Sequence, residues 1–123
     1  MDKNELRLRT KQFALRIMKL VDALPKTFSG RTIGGQLVRC GTSVGANYRA
    51  ALRSRSRAEF IAKPGVVKEE ADEVVYWLEF FRSTNLLESS QIDPPLGEAK
   101  ELPAIFAASC RTAKRNHRGR RHP

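Results

Sequence analysis

The sequence predicts an all-α domain, an antiparallel up-down four-helix bundle, on three observations. Apolar residues recur at three- and four-residue steps in four separate stretches, the spacing that lines one helix face. The connections between the first three stretches are short, which folds consecutive helices back on one another. No strand-like alternation and no internal repeat competes. At 123 residues the chain is long enough for one domain with one core, placed at residues 1–115, followed by a basic, disordered tail at 116–123.

The first helix is expected over about residues 4–24, where Leu6, Phe13, Ile17, Leu20 and Leu24 share a face. Pro25 ends it, because proline disfavours helical backbone in the residue before it. The second helix is expected over about 31–54, with Ile33, Leu37, Cys40, Val44, Asn47 and Ala51 as a heptad-like seam. Gly34, Gly35, Gly41 and Gly45 interrupt it, each at a cost of about 1 kcal/mol relative to Ala. Gly34, Gly41 and Gly45 lie beside the seam, where they let another backbone approach. They are not a phosphate loop, since no Lys-Ser/Thr follows Gly41.

Ser56 and Glu59 have the spacing of a capping box and open a third helix that runs to about residue 83. Phe60, Pro64, Val67, Ala71, Val74, Leu78 and Phe81 continue the four-three rhythm. Pro64, beside Gly65, predicts a local break, since an interior proline costs about 3 kcal/mol. This helix carries Trp77 between Tyr76 and Phe80, an apolar stripe wider than a bundle needs, and so predicts oligomerisation. Residues 85–97 hold Ser89, Ser90, Pro94 and Pro95 and read as a longer connection. A fourth helix follows over about 98–114, with Leu102, Ile105, Phe106, Ser109 and Ala113 inward and Pro103 in its first turn.

The formal net charge is +10 and it is segregated. Residues 1–60 carry 13 Lys/Arg against 4 Asp/Glu, residues 61–110 carry 4 against 9, and residues 111–123 carry 6 and no acid. A basic first half and tail favour a polyanionic partner, RNA or DNA; the bland alternative is solubilising charge. The acidic third helix beside basic neighbours also suits self-association. No stretch is apolar enough to span a membrane, and residues 6–24 resemble a targeting helix only as far as any basic bundle helix does. Cys40 and Cys110 lack metal-ligand spacing and read as reduced, partly buried thiols of a cytoplasmic protein, with a disulfide left open.

Two basic groups are candidate nucleic-acid contacts: Arg7, Arg9, Lys11, Arg16 and Lys19 on the first helix, and Arg49, Arg53, Arg55 and Arg57 at the junction of the second and third. Arginine and lysine hold phosphates through charge-assisted hydrogen bonds, and nothing suggests base reading. Arg39, Ser43 and Asn47 are spaced by four on one helix face. They are expected to form a structural polar network, with Asn47 reaching Glu70 on the third helix, in preference to a ligand site. The run Glu69, Glu70, Asp72 and Glu73 is expected to pair with basic residues, because a di-metal bundle needs Glu-x-x-His pairs and neither histidine lies on this helix. No metal or other cofactor is expected. The one enzymatic alternative is a helical-bundle ribonuclease using Arg111 with His117, or Arg115 and Asn116 with His122. Gly119 and the crowd of tail arginines argue against it.

At Gln36-Leu37-Val38-Arg39, Thr42-Ser43-Val44-Gly45-Ala46-Asn47-Tyr48, Ser56-Arg57-Ala58-Glu59-Phe60-Ile61, Lys68-Glu69-Glu70-Ala71-Asp72-Glu73 and Tyr76-Trp77-Leu78-Glu79 the chain resembles the 23S rRNA-intervening sequence protein family. The resemblance covers roughly residues 6–87. Ala50 stands where that family usually has an acidic residue, and Pro64 where it usually has a leucine-like one. The resemblance implies a bundle that assembles as a homo-oligomeric ring, typically a homopentamer. One branch of the family serves diversity-generating retroelements, where a basic pentamer is understood to bind nucleic acid and a reverse transcriptase. The function expected here is therefore non-enzymatic nucleic-acid binding through basic surfaces, with a protein-binding scaffold or accessory subunit as the alternative.

Overall fold

Four helices account for nearly all of the backbone: α1 (Lys3–Asp22), α2 (Phe28–Leu52), α3 (Arg57–Thr84) and α4 (Ser89–Arg121). The computed structural model describes residues 3–53 and 56–121, with side chains described at 4–53, 56, 58 and 60–111. The basic tail expected at 116–123 falls beyond the described side chains. No strand occurs among the described residues.

Two helix starts have clear local causes. α2 begins three residues earlier than expected, because Thr27 caps it: its hydroxyl accepts from the Gly30 N–H at 3.1 Å. Gly30 is obligatory there, since a Cβ would sit 2.3 Å from the Pro25 carbonyl oxygen. α4 begins nine residues earlier than expected. The Glu88 N–H donates to Gln91 Oε1 at 3.0 Å, the reciprocal half of a capping box, and the Glu88 carbonyl accepts from Gln91 and Ile92. Pro94 and Pro95 then sit in the second turn, near a helix end, where few backbone bonds are lost. Ile92, Pro95 and Leu96 are buried there, and this burial makes helix of a segment expected to be a loop.

The break expected at Pro64 is absent; α3 is continuous through it. The proline deprives the Phe60 carbonyl of its helical donor. Phe60 packs against the core on one side of it, and Val67, Ala71 and Val74 are fully buried on the other. Packing on both flanks offsets the local cost. Between α3 and α4, Asn85 takes a positive φ of 58°, a conformation asparagine tolerates.

α1 packs on α2, α2 on α3 and α3 on α4, and α4 closes back on α1. Cβ atoms built on Gly34, Gly41 and Gly45 of α2 would lie 3.0–3.2 Å from Val21, Ile17 and Thr10 of α1. The partners retreat along α1 as α2 advances. These three glycines therefore do bring two helices close, whereas Gly35 faces open space. The buried face of α2 is Leu37, Cys40, Val44, Tyr48 and Ala51. Tyr48 replaces the expected Asn47, because a straight helix at 3.6 residues per turn drifts off a strict heptad seam. Its ring meets Phe106 of α4 edge-on at 5.1 Å.

Candidate nucleic-acid interface

The start of α1 and the end of α2 lie side by side, and they bring together Arg7, Arg49 and Arg53. The three line one cleft of about 240 Å³. Arg53 is the C-cap residue of α2, with its N–H donating to the Ala50 and Ala51 carbonyls, and Arg49 lies in the last turn. Cations there complement the negative end of the helix dipole. None of the three guanidinium groups is ion-paired with a described carboxylate, so their charge faces outward. Arg55 lies outside the described residues and the Arg57 side chain outside the described side chains. In the sequence both follow Arg53 within four residues.

The other basic residues of α1 divide by helix face. Lys11, Arg16 and Lys19 are exposed. Arg9 is not on the open surface. Its Nε and Nη2 donate to the two oxygens of Glu98 at 2.9 and 2.6 Å, and Nη2 also reaches Glu101 at 2.8 Å. The side chains of Arg9 and Glu98 are 24% and 16% exposed, so the bidentate pair is partly buried and clamps α1 to α4. The Arg9 hydrogen bond holds the Glu98 carboxyl below its ordinary range against the opposing effect of burial, with the charges of Arg9 and Arg16 assisting.

The polar residues of α2 divide differently from the expected network. Arg39 makes the crossing to α3, bonding Glu70 at 3.4 Å and, more closely, Glu73. Asn47 does not reach Glu70. Its Nδ2 donates to the Ser43 carbonyl one turn back at 2.9 Å, and the Ser43 hydroxyl donates to the Arg39 carbonyl at 2.8 Å. Both side chains close on their own helix, as short polar side chains do. Asp72 lies 3.7 Å from Lys68 on the exposed face of α3, and no group of three His, Cys, Asp or Glu suited to a metal occurs among the described residues. Cys40 and Cys110 are buried free thiols. Burial, reinforced by Glu73, pushes the Cys40 thiol up to about 11, and burial raises that of Cys110.

Arg111 is exposed, but the side chains of Arg115, Asn116 and His117 lie outside those described, and His122 lies outside the described residues. No described helix is long and apolar enough to cross a membrane. One feature was not anticipated: an open apolar groove of about 650 Å³ between α3 and α4, lined by Pro64, Gly65, Val75, Ala99, Pro103 and Ala107. Its signal in the sequence is the run of prolines and small residues on facing helices, which leaves the interhelical surface unfilled.

Residues 2–108 match the model of the 23S rRNA-intervening sequence protein family. The fold is similar to the crystal structure of a protein of unknown function from the S23 ribosomal protein family of Bacteroides thetaiotaomicron. The two superpose with a TM-score of 0.77 at 30% identity, covering 85% of this chain and 97% of that one. No curated protein matches the chain. With a matching model over most of its length and a four-helix fold shared with that solved structure, the chain belongs to the 23S rRNA-intervening sequence protein family.

Proposed function

We propose that this protein is a non-enzymatic, antiparallel up-down bundle that assembles as a homo-oligomeric ring and binds RNA or DNA, with little sequence preference, through its basic end. The observation that carries this reading is the convergence of Arg7, Arg49 and Arg53 in one cleft, none of them ion-paired with a described carboxylate. Arg55 and Arg57 follow Arg53 closely in the sequence and add two more positive charges to this stretch of chain. Lys11, on the exposed face of α1, extends the basic surface. Arg9, held by Glu98 and Glu101, is left out of the contact surface and serves the fold. Guanidinium groups presented this way suit phosphate oxygens and offer nothing that distinguishes one base from another.

The test is fluorescence anisotropy of labelled structured RNA and duplex DNA across a salt series. Affinity is expected to fall linearly on a log–log plot, as counterions released by phosphate contacts require. Reversing Arg7, Arg49 and Arg53 together to Glu should weaken binding at least about tenfold and flatten the slope. Lys26→Glu, at the opposite end, should leave both unchanged. Absence of binding at low salt overturns the reading.

A further inference from the structure

The outward face of α1 is aliphatic and basic. Leu8, Leu15 and Met18 are 56%, 47% and 45% exposed, turned away from the core that holds Leu6, Phe13 and Ile17. Lys11 and Lys19, both exposed, flank them, and exposed Asp22 closes the stripe at the end of α1, leaving a net positive face. The outward face of α3 is aromatic and acidic. Tyr76 and Phe80 are 59% and 41% exposed, and each meets the half-buried Trp77 edge-on, at 4.8 and 6.0 Å. Glu69, Asp72 and Glu79 surround them, and neither Glu69 nor Glu79 is ion-paired with a described residue. The α3 rings brace one another, so little side-chain entropy remains to be lost on contact.

α1 and α3 each pack on α2 and α4 and hardly on each other, so these faces lie on opposite sides of the bundle. Each stripe follows three- and four-residue steps, Leu8, Lys11, Leu15, Met18 on one and Glu69, Asp72, Tyr76, Phe80 on the other, the rhythm by which two helices mesh. Neither face suits a copy of itself, since like charges would meet. Each suits the other in charge and in apolar content. We propose that the α1 face of one protomer docks on the α3 face of the next, a head-to-tail contact between copies of this chain, which rests on the self-assembly reading above. A contact between two different patches repeats around a ring wherever its rotation closes.

The test is sedimentation of the full chain, with Leu15→Asp to block the α1 face and Tyr76→Asp to block the α3 face. Both sites are exposed, and circular dichroism should show unchanged helix content. Each variant alone is expected to be monomeric. Their equimolar mixture should give a dimer and nothing larger, because one intact face of each kind remains. If either variant loses helix, the exposed charge reversals Lys11→Glu with Lys19→Glu, and Glu69→Lys with Glu79→Lys, replace it in the same mixing design. A monomeric unmodified chain overturns both this proposal and self-assembly. Blocked variants that remain oligomeric, or that are monomeric and fail to pair on mixing, overturn the choice of faces while the assembly stands. Recovery of a different protein on the α3 face in place of a second copy has the same consequence.

Discussion

Arg9 shows how far one residue's role depends on which neighbour its helix face meets. Its bidentate bond to Glu98 joins α1 to α4, the least extensive of the four packed helix pairs. Glu98→Gln should cost about 1–2 kcal/mol, as loss of a partly buried charged hydrogen bond does. The pH dependence has a definite sign. Glu98 titrates below its ordinary value of 4.5 in the folded chain, so its contribution is complete above that pH and disappears as pH falls through the lower folded value. Thermal melts between pH 7 and pH 3 should therefore show the native chain losing an increment of stability that the Gln variant never had. A loss of equal size in both chains would contradict this. Nothing in the sequence separates Arg9 from Arg7. Both are arginines of the same helix, and only the placement of α4 along one flank and α2 along the other sends one to a carboxylate and the other to an open cleft.

At the scale of the helix, the glycines of α2 divide sharply. At Gly41 a Cβ would meet three atoms of Ile17 at 3.0–3.2 Å, and the β-branched side chain has little room to turn. Gly41→Ala should destabilise by about 1–3 kcal/mol through overpacking. Gly35→Ala, in open space on the same helix, should stabilise by roughly 0.5–1 kcal/mol through helix propensity alone. Chemical denaturation of the pair checks both signs. The inward residues of α1 and the close approach at Gly34, Gly41 and Gly45 were legible because spacing and residue size are local. The continuity at Pro64 and the early start of α4 at Ser89 were not. In both, proline's local preference is overridden by burial of residues on either side, and burial depends on a partner helix that no window of sequence contains. The Asn47–Glu70 contact failed for the opposite reason: the asparagine found its acceptor one turn back, closer than any neighbour.

Across the whole molecule, charge is sorted by end and by face. The end of α2 and the start of α1 share the basic end, while α3 carries carboxylates along its length. In a ring built from head-to-tail contacts, every protomer presents its basic end in the same direction relative to the axis, and binding becomes multivalent. The monomeric Leu15→Asp variant, with Arg7, Arg49 and Arg53 untouched, should thus bind long RNA at least about tenfold more weakly and with a shallower salt slope than the assembled chain. Equal affinity and slope would mean that each protomer binds alone. Cys40 and Cys110 have a separate use. Cys40 is buried in the middle of α2, and Cys110 lies on α4 past the Tyr48–Phe106 contact, toward the basic end. With its thiol held up to about 11, Cys40 is neither reachable nor ionised at neutral pH while the helices stay together. The chain therefore carries two internal clocks. The alkylation rate of Cys40 times separation of the whole bundle and that of Cys110 times fraying of its basic end, so their ratio reports whether the protein opens from that end or all at once.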